Sequence, residues 1–562
     1  MTLDYIPQGP SFLTDSDSEQ SYTPSGEEAY RQKMLSWRSA AKEEALGTYR
    51  ENSELKSIPK YINSLSGSYW NPRRAKYKSP FFDNRLNKAR IDSLAALTDT
   101  RPAIDIKTGV PAYKVHGEMA HGILRHEWMT QGMDLSLVMA TDICQLQGTS
   151  FWKLGAGSPG LLNAIPCGIE NVLPIQPGFH IQDSTAVLYR TWKPLLKLKR
   201  KYPFTSGGLE KQSGSIDSQF QSGNVAYQRP NYVDEYVWNG LSPAMQRALG
   251  TRGEPDKAVQ NFFRSIETEE YFVDDDSIND SRKRVLMRHP YLPTSAHNWW
   301  YWVEPGQKLY PRKRLIVFAG DIILHDGPAP FWHGLYPFAC MRLNPVPWSF
   351  WGLSKYRDLL PVNSAINEII AAMLDMVKRA LNPQAISKTG AVNAAAWGQF
   401  FSDMPGTKLL MGPNANPAAD IRYMSPPDIP AYVLNLLVMV LIPEFDRLAG
   451  AIDAGMLGKK KQIPGGETIE QMKDLQNTGT RLEGRFIESF LKDSGLQSMS
   501  NIFQFYTMSQ RLKILGEDGI TKDDFDSIPD STVPDEVLPR EDFWKQFSLS
   551  VTPGSIHTGA KD

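Results

Sequence analysis

The sequence predicts an α+β chain. Apolar residues recur at helical spacing near the start, at Tyr30, Met34, Trp37 and Ala41, and again at Leu86, Ala89, Ile91, Leu94 and Leu97. Between residues 100 and 345 short β-leaning runs stand between Pro and Gly, at Val172–Ile175, His180–Ile181, Thr185–Tyr189 and Arg314–Phe318. Beyond Pro345 helical periodicity returns and dominates.

Taken in order, residues 1–28 are Ser-, Thr-, Asp-, Glu-, Gly- and Pro-rich and read as a flexible arm. Helices are expected over Glu27–Tyr49, over Asn84–Thr98 and, as one long rod, over His116–Gln147. Thr205–Gln228 is Gly-, Ser- and Gln-rich and reads as an exposed loop, and Asp274–Asp276 as a hairpin tip. A helix is expected from about Ser354 to Leu381, ended by Asn382-Pro383. Residues 383–427 are short and mixed, helical at Ala394–Phe401 and strand-like at Lys408–Met411 and Ile421–Met424. A returning helix over 428–449 is apolar on nearly every side at Leu434–Ile442, so it needs covering all round. Residues 450–466 form a loop carrying Lys459, Lys460, Lys461 and Gln462. From Glu467 to about Leu515 the spacing predicts one helix, roughly 70 Å long at 1.5 Å per residue, with kinks at Gly479, Gly484 and Gly495. Residues 516–562 read as an acidic tail.

Composition excludes several classes. At 562 residues and 41% hydrophobic the chain can bury a large core, so wholesale disorder is excluded. Lys+Arg 61 against Asp+Glu 62 argues against one broad basic face gripping nucleic acid. Cys144, Cys167 and Cys340 are too few and scattered for a disulfide framework or a zinc knuckle, which fits a reducing compartment. The N-terminus lacks a basic and apolar leader, and no apolar run reaches the ~18 residues of a membrane span. A soluble chain made inside the cell, with no membrane partner, is expected.

The enzyme signatures are weak. Gly155-Ala-Gly-Ser-Pro-Gly160 matches GxGxxG, but Pro159 and Pro166 interrupt the helix that must follow, so a plain turn is expected. His121, His126 and Glu127 have HxxxxHE rather than HExxH spacing and read as satisfied histidines. Asp274–Asp276 lacks the rest of a calcium loop. Trp299-Trp300-Tyr301-Trp302 could stack bases but has no basic groove beside it, and reads as packing or a subunit interface. No catalytic residue, metal or cofactor is expected, and the chain is not read as an enzyme.

One stretch is more informative. Phe350-Trp-Gly-Leu-Ser-Lys-Tyr-Arg-Asp-Leu-Leu, followed by Asn363 and Ile366-Asn367, resembles the tailed-bacteriophage portal protein (head-to-tail connector) family. There an aromatic-Gly-x-Ser segment leads into a helix bearing a Gln and, four residues later, an Asn; this chain has Asn363 in the Gln position. Ser550-Val-Thr-Pro-Gly-Ser555 resembles a portal segment that follows the long helix. The likeness is best over 310–555.

The resemblance implies an α+β portal fold that forms rings of twelve copies. Residues 29–345 would be the wing, 346–382 the first stem helix, 383–427 the clip, 428–449 the second stem helix and 450–466 the channel loop. Residues 467–515 would be the kinked spine of the wing, with the crown short or absent in 516–562. Stem contacts between subunits would involve Ile366, Ile370, Met373, Val377, Leu434, Leu437, Val438 and Leu441, and the clip would present Trp397, Phe400, Phe401 and Lys408. Lys459, Lys460, Lys461 and Gln462 would line a channel for double-stranded genomic DNA, touched without sequence preference. The implied partners are the terminase large subunit, the major capsid or scaffolding protein and tail adaptor proteins. The implied place is a capsid vertex of the virion, after assembly in the host cytoplasm. A metal-dependent nucleic-acid-processing enzyme of a mobile element, with Asp274–Asp276 as its metal site, is the alternative from another class. Another ring connector or capsid-associated protein is the third.

Overall fold

The computed structural model describes residues 11–13, 24–51, 60–61, 63–65, 69–70, 78–98, 104–156, 162–202, 209, 265–274, 283–288, 298–303, 310, 312–381, 385–388, 416, 420–423, 430–450, 466–506 and 540–551. Helix and sheet are mixed, as an α+β chain requires. The chain divides into two units. One comprises Met1–Pro59, Arg90–Lys355 and Asn477–Asp562, the other Lys60–Ala89 and Tyr356–Gln476.

The first unit is built on an antiparallel five-stranded sheet. Its order is β11 (Ile322–Pro328), β10 (Arg314–Ala319), β7 (Ser265–Val273), β6 (Ala186–Pro194), β5 (Val172–Ile175). All four residues of β5 are buried, as a short unbroken apolar run predicts. Helix α1 (Pro24–Glu51) lies on one face, with Met34 and Ala45 packed among Leu173, Leu188, Tyr271 and Phe318. Its start at Pro24 and the strand β1 (Ser11–Leu13), antiparallel to β8 (Lys283–Arg288), fall inside the stretch read as an arm.

Carboxylates sit on both faces of β7. Glu269 accepts from Arg38 Nε at 2.6 Å and from Lys42 Nζ at 2.6 Å on α1. Glu270, on the opposite face, accepts from Lys153 and from Lys193 Nζ at 2.5 Å. Burial alone would push both carboxyls up. The paired cations outweigh it, holding Glu269 down at about 2 and Glu270 well below the usual carboxylate range.

Helix α2 (Arg85–Thr98) agrees with the periodicity of Asn84–Thr98. The expected long helix over His116–Gln147 is instead two helices, α3 (Lys114–Thr130) and α4 (Met133–Gln147). They part at Gly132, which takes a left-handed φ of 64° that glycine adopts without strain. His180–Ile181 is not a strand. Asp183 accepts the His180 N–H at 3.0 Å and winds Ile181–Asp183 into a 3₁₀ turn.

Helix α8 (Gly466–Phe505) is a single run of 40 residues, about 60 Å long. Over its second half the rod is covered by its own unit: Ile487, Phe490 and Leu491 pack against Trp152, Leu154 and Met341. Met499, Ile502 and Phe503 pack with Ile106, Met119, Phe543 and Phe547. The helix runs unbroken through Gly495, which is a packing glycine, since a Cβ there would lie 2.4 Å from Leu549 Cδ1. Leu549 belongs to β15 (Phe547–Val551), which pairs antiparallel with β2 (Ile104–Thr108). Phe547–Val551, within the stretch read as an acidic tail, thus returns to the core.

Gly155 and Ala156 end β3 (Ser150–Ala156), which pairs with β12 (Phe338–Met341) on one side. Its hairpin partner on the other, β4 (Leu162–Cys167), begins where a dinucleotide site would need a helix. His126 Nε2 pairs with Thr130 Oγ1 at 3.2 Å, and Asp274 is held by Lys313 Nζ at 2.8 Å. Among the described residues no His, Cys, Asp and Glu cluster could hold a metal ion. Trp299–Trp302 falls in strand β9 (Asn298–Val303) against β8; how those side chains pack lies outside the described residues.

Candidate assembly interface

The aromatic-Gly-x-Ser segment has a definite geometry within the first unit. Phe350 and Trp351 are buried in the core beside Phe151, at ring separations of 6.4 and 6.3 Å. Gly352 donates its N–H to Thr149 Oγ1 at 2.9 Å, next to Gly148, the residue that caps α4. Ser354 Oγ and the Lys355 N–H both donate to the Gln145 carbonyl at 3.0 Å. Lys355 Nζ then bridges Ser93 Oγ at 2.8 Å and both Glu483 oxygens at 2.8 and 3.0 Å. Each position therefore has a physical reason. The aromatics anchor, the glycine permits a backbone contact, and the serine and lysine terminate on α4 and α8.

In the second unit helix α6 (Leu359–Leu381) begins four residues after Lys355 rather than at Ser354. Leu359, Leu360, Asn363, Ile366, Asn367 and Ala371 make its buried face, at spacings of three and four. The segment before Arg85 is laid along it. Ser79 N–H donates to Asp375 Oδ1 and Asp83 N–H to Asn367 Oδ1, each at 2.6 Å, while Asn367 Nδ2 returns to the Asp83 carbonyl at 3.2 Å. Asn363 is fully buried, and among the described residues neither end of its amide has a hydrogen-bond partner. Toward the C-terminus burial falls away, and Val377 and Leu381 are exposed.

By length and composition α6 is also apolar enough to cross a membrane, which the sequence pattern did not suggest. Its polar side chains Asn367 and Asp375 are taken up by the 79–83 segment of the same unit.

The chain leaves α6 into β13 (Ala385–Ser387), which pairs antiparallel with β14 (Ile421–Tyr423), and returns through the rod 431–449, here α7. This rod is α-helical at Ala431–Leu436, widens to a π turn at Leu437–Leu441 and is α-helical again at Ile442–Ala449. It packs against α6 through its π turn and final segment. Leu437 and Phe445 face inward; Tyr432, Leu434, Leu436, Val438, Met439, Val440 and Leu448 are exposed, with Met439 at 65%. Among the described residues, this apolar rod has one side covered by its own unit.

The predicted stem residues therefore divide. Val377, Leu434 and Val438 are exposed, and Ile370, Met373 and Leu441 half-buried. Ile366 and Leu437 are buried inside their own unit, Ile366 on the same helix face as Asn363 and Asn367. Tyr432, Leu436, Met439 and Val440 are exposed as well, the last three in the apolar stretch Leu434–Ile442. Lys459, Lys460, Lys461 and Gln462, expected in a channel loop, and Trp397, Phe400, Phe401 and Lys408, expected in a clip, lie outside the described residues.

No protein-family model matches the chain, and no curated protein matches it.

Proposed function

We propose that this chain is the portal protein of a tailed bacteriophage, a structural component that assembles into a ring around a channel for double-stranded DNA. The observation that carries the reading is the exposed apolar side of the 431–449 rod, seated on the helix pair whose order and preceding Phe-Trp-Gly-Leu-Ser segment resemble the family. Fully burying one exposed large aliphatic side chain contributes about 1.5–3 kcal/mol, so covering the roughly half-exposed Leu434, Val438, Met439 and Val440 supplies about 3–7 kcal/mol before association costs. A head-to-tail contact that closes on itself yields a ring.

On this reading the protein performs no covalent chemistry. The ring sits at one capsid vertex, contacts the capsid or scaffolding protein, docks the terminase large subunit and later tail adaptors, and passes DNA in both directions. A near-neutral chain suits a conduit, because each neutralised phosphate strengthens binding and a sliding polymer must not be held. Lys459–Lys461 supply the local contact.

Electron microscopy of the purified protein tests the reading. Annular particles are expected; a chain that stays monomeric at high concentration overturns it. Replacing Lys459–Lys461 with Ala is expected to leave rings intact while impairing packaging, and loss of rings would move these lysines to an interface.

A further inference from the structure

One charged feature stands apart from the rods. Residues 190–201 carry six cations and no carboxylate, in a chain whose net charge is −1. Arg190 pairs with Glu267 at 2.6 Å and Lys193 with Glu270 at 2.5 Å. Lys197, Lys199, Arg200 and Lys201 fall in the short helix α5 (Leu195–Lys201) at the end of β6.

This helix is fixed by its apolar side. Leu195, Leu198 and the following Tyr202 are buried in the core with Val187, Phe272 and Phe338. Lys197, Arg200 and Lys201 are exposed, at i, i+3 and i+4, so they share one face. The ion pairs among the described residues leave out Lys197 and Arg200. Favourable interaction with the helix C-terminus does not account for the cluster, because that end carries only about half an elementary negative charge.

We propose that the outward face of α5, formed by Lys197, Arg200 and Lys201 with Lys199 at its edge, is a contact for the phosphate backbone of duplex DNA, read without regard to sequence. Several cations in one turn on a rigid base match a polymer with closely repeated phosphates, and binding follows from displaced counterions. A membrane surface fits less well, since an interfacial helix buries apolar residues in the headgroup layer while Leu195 and Leu198 face the protein core. Such a contact is additional to the channel loop and requires no ring.

The test is fluorescence anisotropy of a labelled duplex of mixed sequence with the full chain over a range of salt concentrations. Relative to the unaltered chain, Lys197→Gln/Arg200→Gln/Lys201→Gln is expected to lower the slope of log K against log salt by about 2.7, at about 0.9 for each phosphate no longer neutralised. Arg200→Gln alone is expected to lower it by about 0.9, so a poorly folding triple variant leaves the test intact. Lys107→Gln/Arg125→Gln/Lys492→Gln removes the same charge from other exposed positions and is expected to lower it far less. An unchanged slope in the α5 variants, an equal fall in the control, or binding of phosphatidylserine vesicles but not duplex overturns the proposal. Absence of rings in micrographs bears on the portal reading alone.

Discussion

Gly148 and Gly352 meet backbone to backbone. A Cβ on Gly148 would lie 2.3 Å from the Gly352 carbonyl oxygen, and a Cβ on Gly352 would lie 2.4 Å from that of Gly148. Gly148 also holds a left-handed φ of 80°. Two residues about two hundred positions apart thus lock the turn after α4 to the Phe-Trp-Gly-Leu-Ser segment. In both cases the obstruction is backbone, which cannot swing aside as a side chain can.

Substituting either glycine is therefore expected to be costly. Gly352→Ala and Gly148→Ala should each lower stability by about 2 kcal/mol or more, the second also through its left-handed backbone. Gly155→Ala, where the nearest atom to a Cβ is Phe331 Cζ at 4.0 Å, should be close to neutral. Urea midpoints at a constant slope separate the three.

Lys355 and Glu483 form a largely buried pair, the carboxylate side chain 11% exposed. Removing the cation leaves that charge uncompensated. Lys355→Met is expected to cost about 3 kcal/mol, and Lys355→Met/Glu483→Leu to recover most of it. A double-mutant cycle from denaturation curves measures the coupling; a cycle that closes to zero would show the two groups acting independently.

The rods separate folding from assembly. Leu434→Glu/Val438→Glu alters exposed positions, so the melting temperature of the isolated chain should barely move, whereas annular particles should disappear. Ile366→Asp puts a carboxylate at a fully buried site and should unfold the unit, at a cost above about 4 kcal/mol. Thermal melts and particle counts on the same preparations check both.

Acid should destabilise the chain in two stages. Burial pushes His325 down to about 4 and His333 to about 3 from an ordinary 6.5. Both bind protons more readily when unfolded, so stability should fall as pH drops below about 6.5. Glu269, held at about 2 against 4.5 when unfolded, contributes stability above about 4.5 that is lost as pH falls toward 2. Its share is about 3 kcal/mol. Glu269→Gln should shrink the second stage, where Glu270 still contributes, and leave the first; stability measured against pH reads both.

Signals carried by neighbouring residues were legible in the chain itself. The unbroken apolar run Val172–Ile175 is β5, the stop at Asn382-Pro383 follows the last helical residue Leu381, and the spacing after Glu467 marks α8 to within a residue of its start. The apolar character of 434–442 said that the returning rod needs cover on every side. Each follows from backbone sterics or side-chain period within a few turns of chain.

Contacts between distant residues were decided by tertiary structure alone. Phe547 pairs with Thr108, the 79–83 segment lies on α6, and Gly495 is open because Leu549 fills the space a side chain would take. The same long-range packing covers the second half of α8, and it separates Ile366 and Leu437, turned inward, from Leu434 and Val438, turned out. The physical reason is that hydrophobic burial is non-directional: the pattern along a chain says which faces must be covered, and only the folded arrangement says by what.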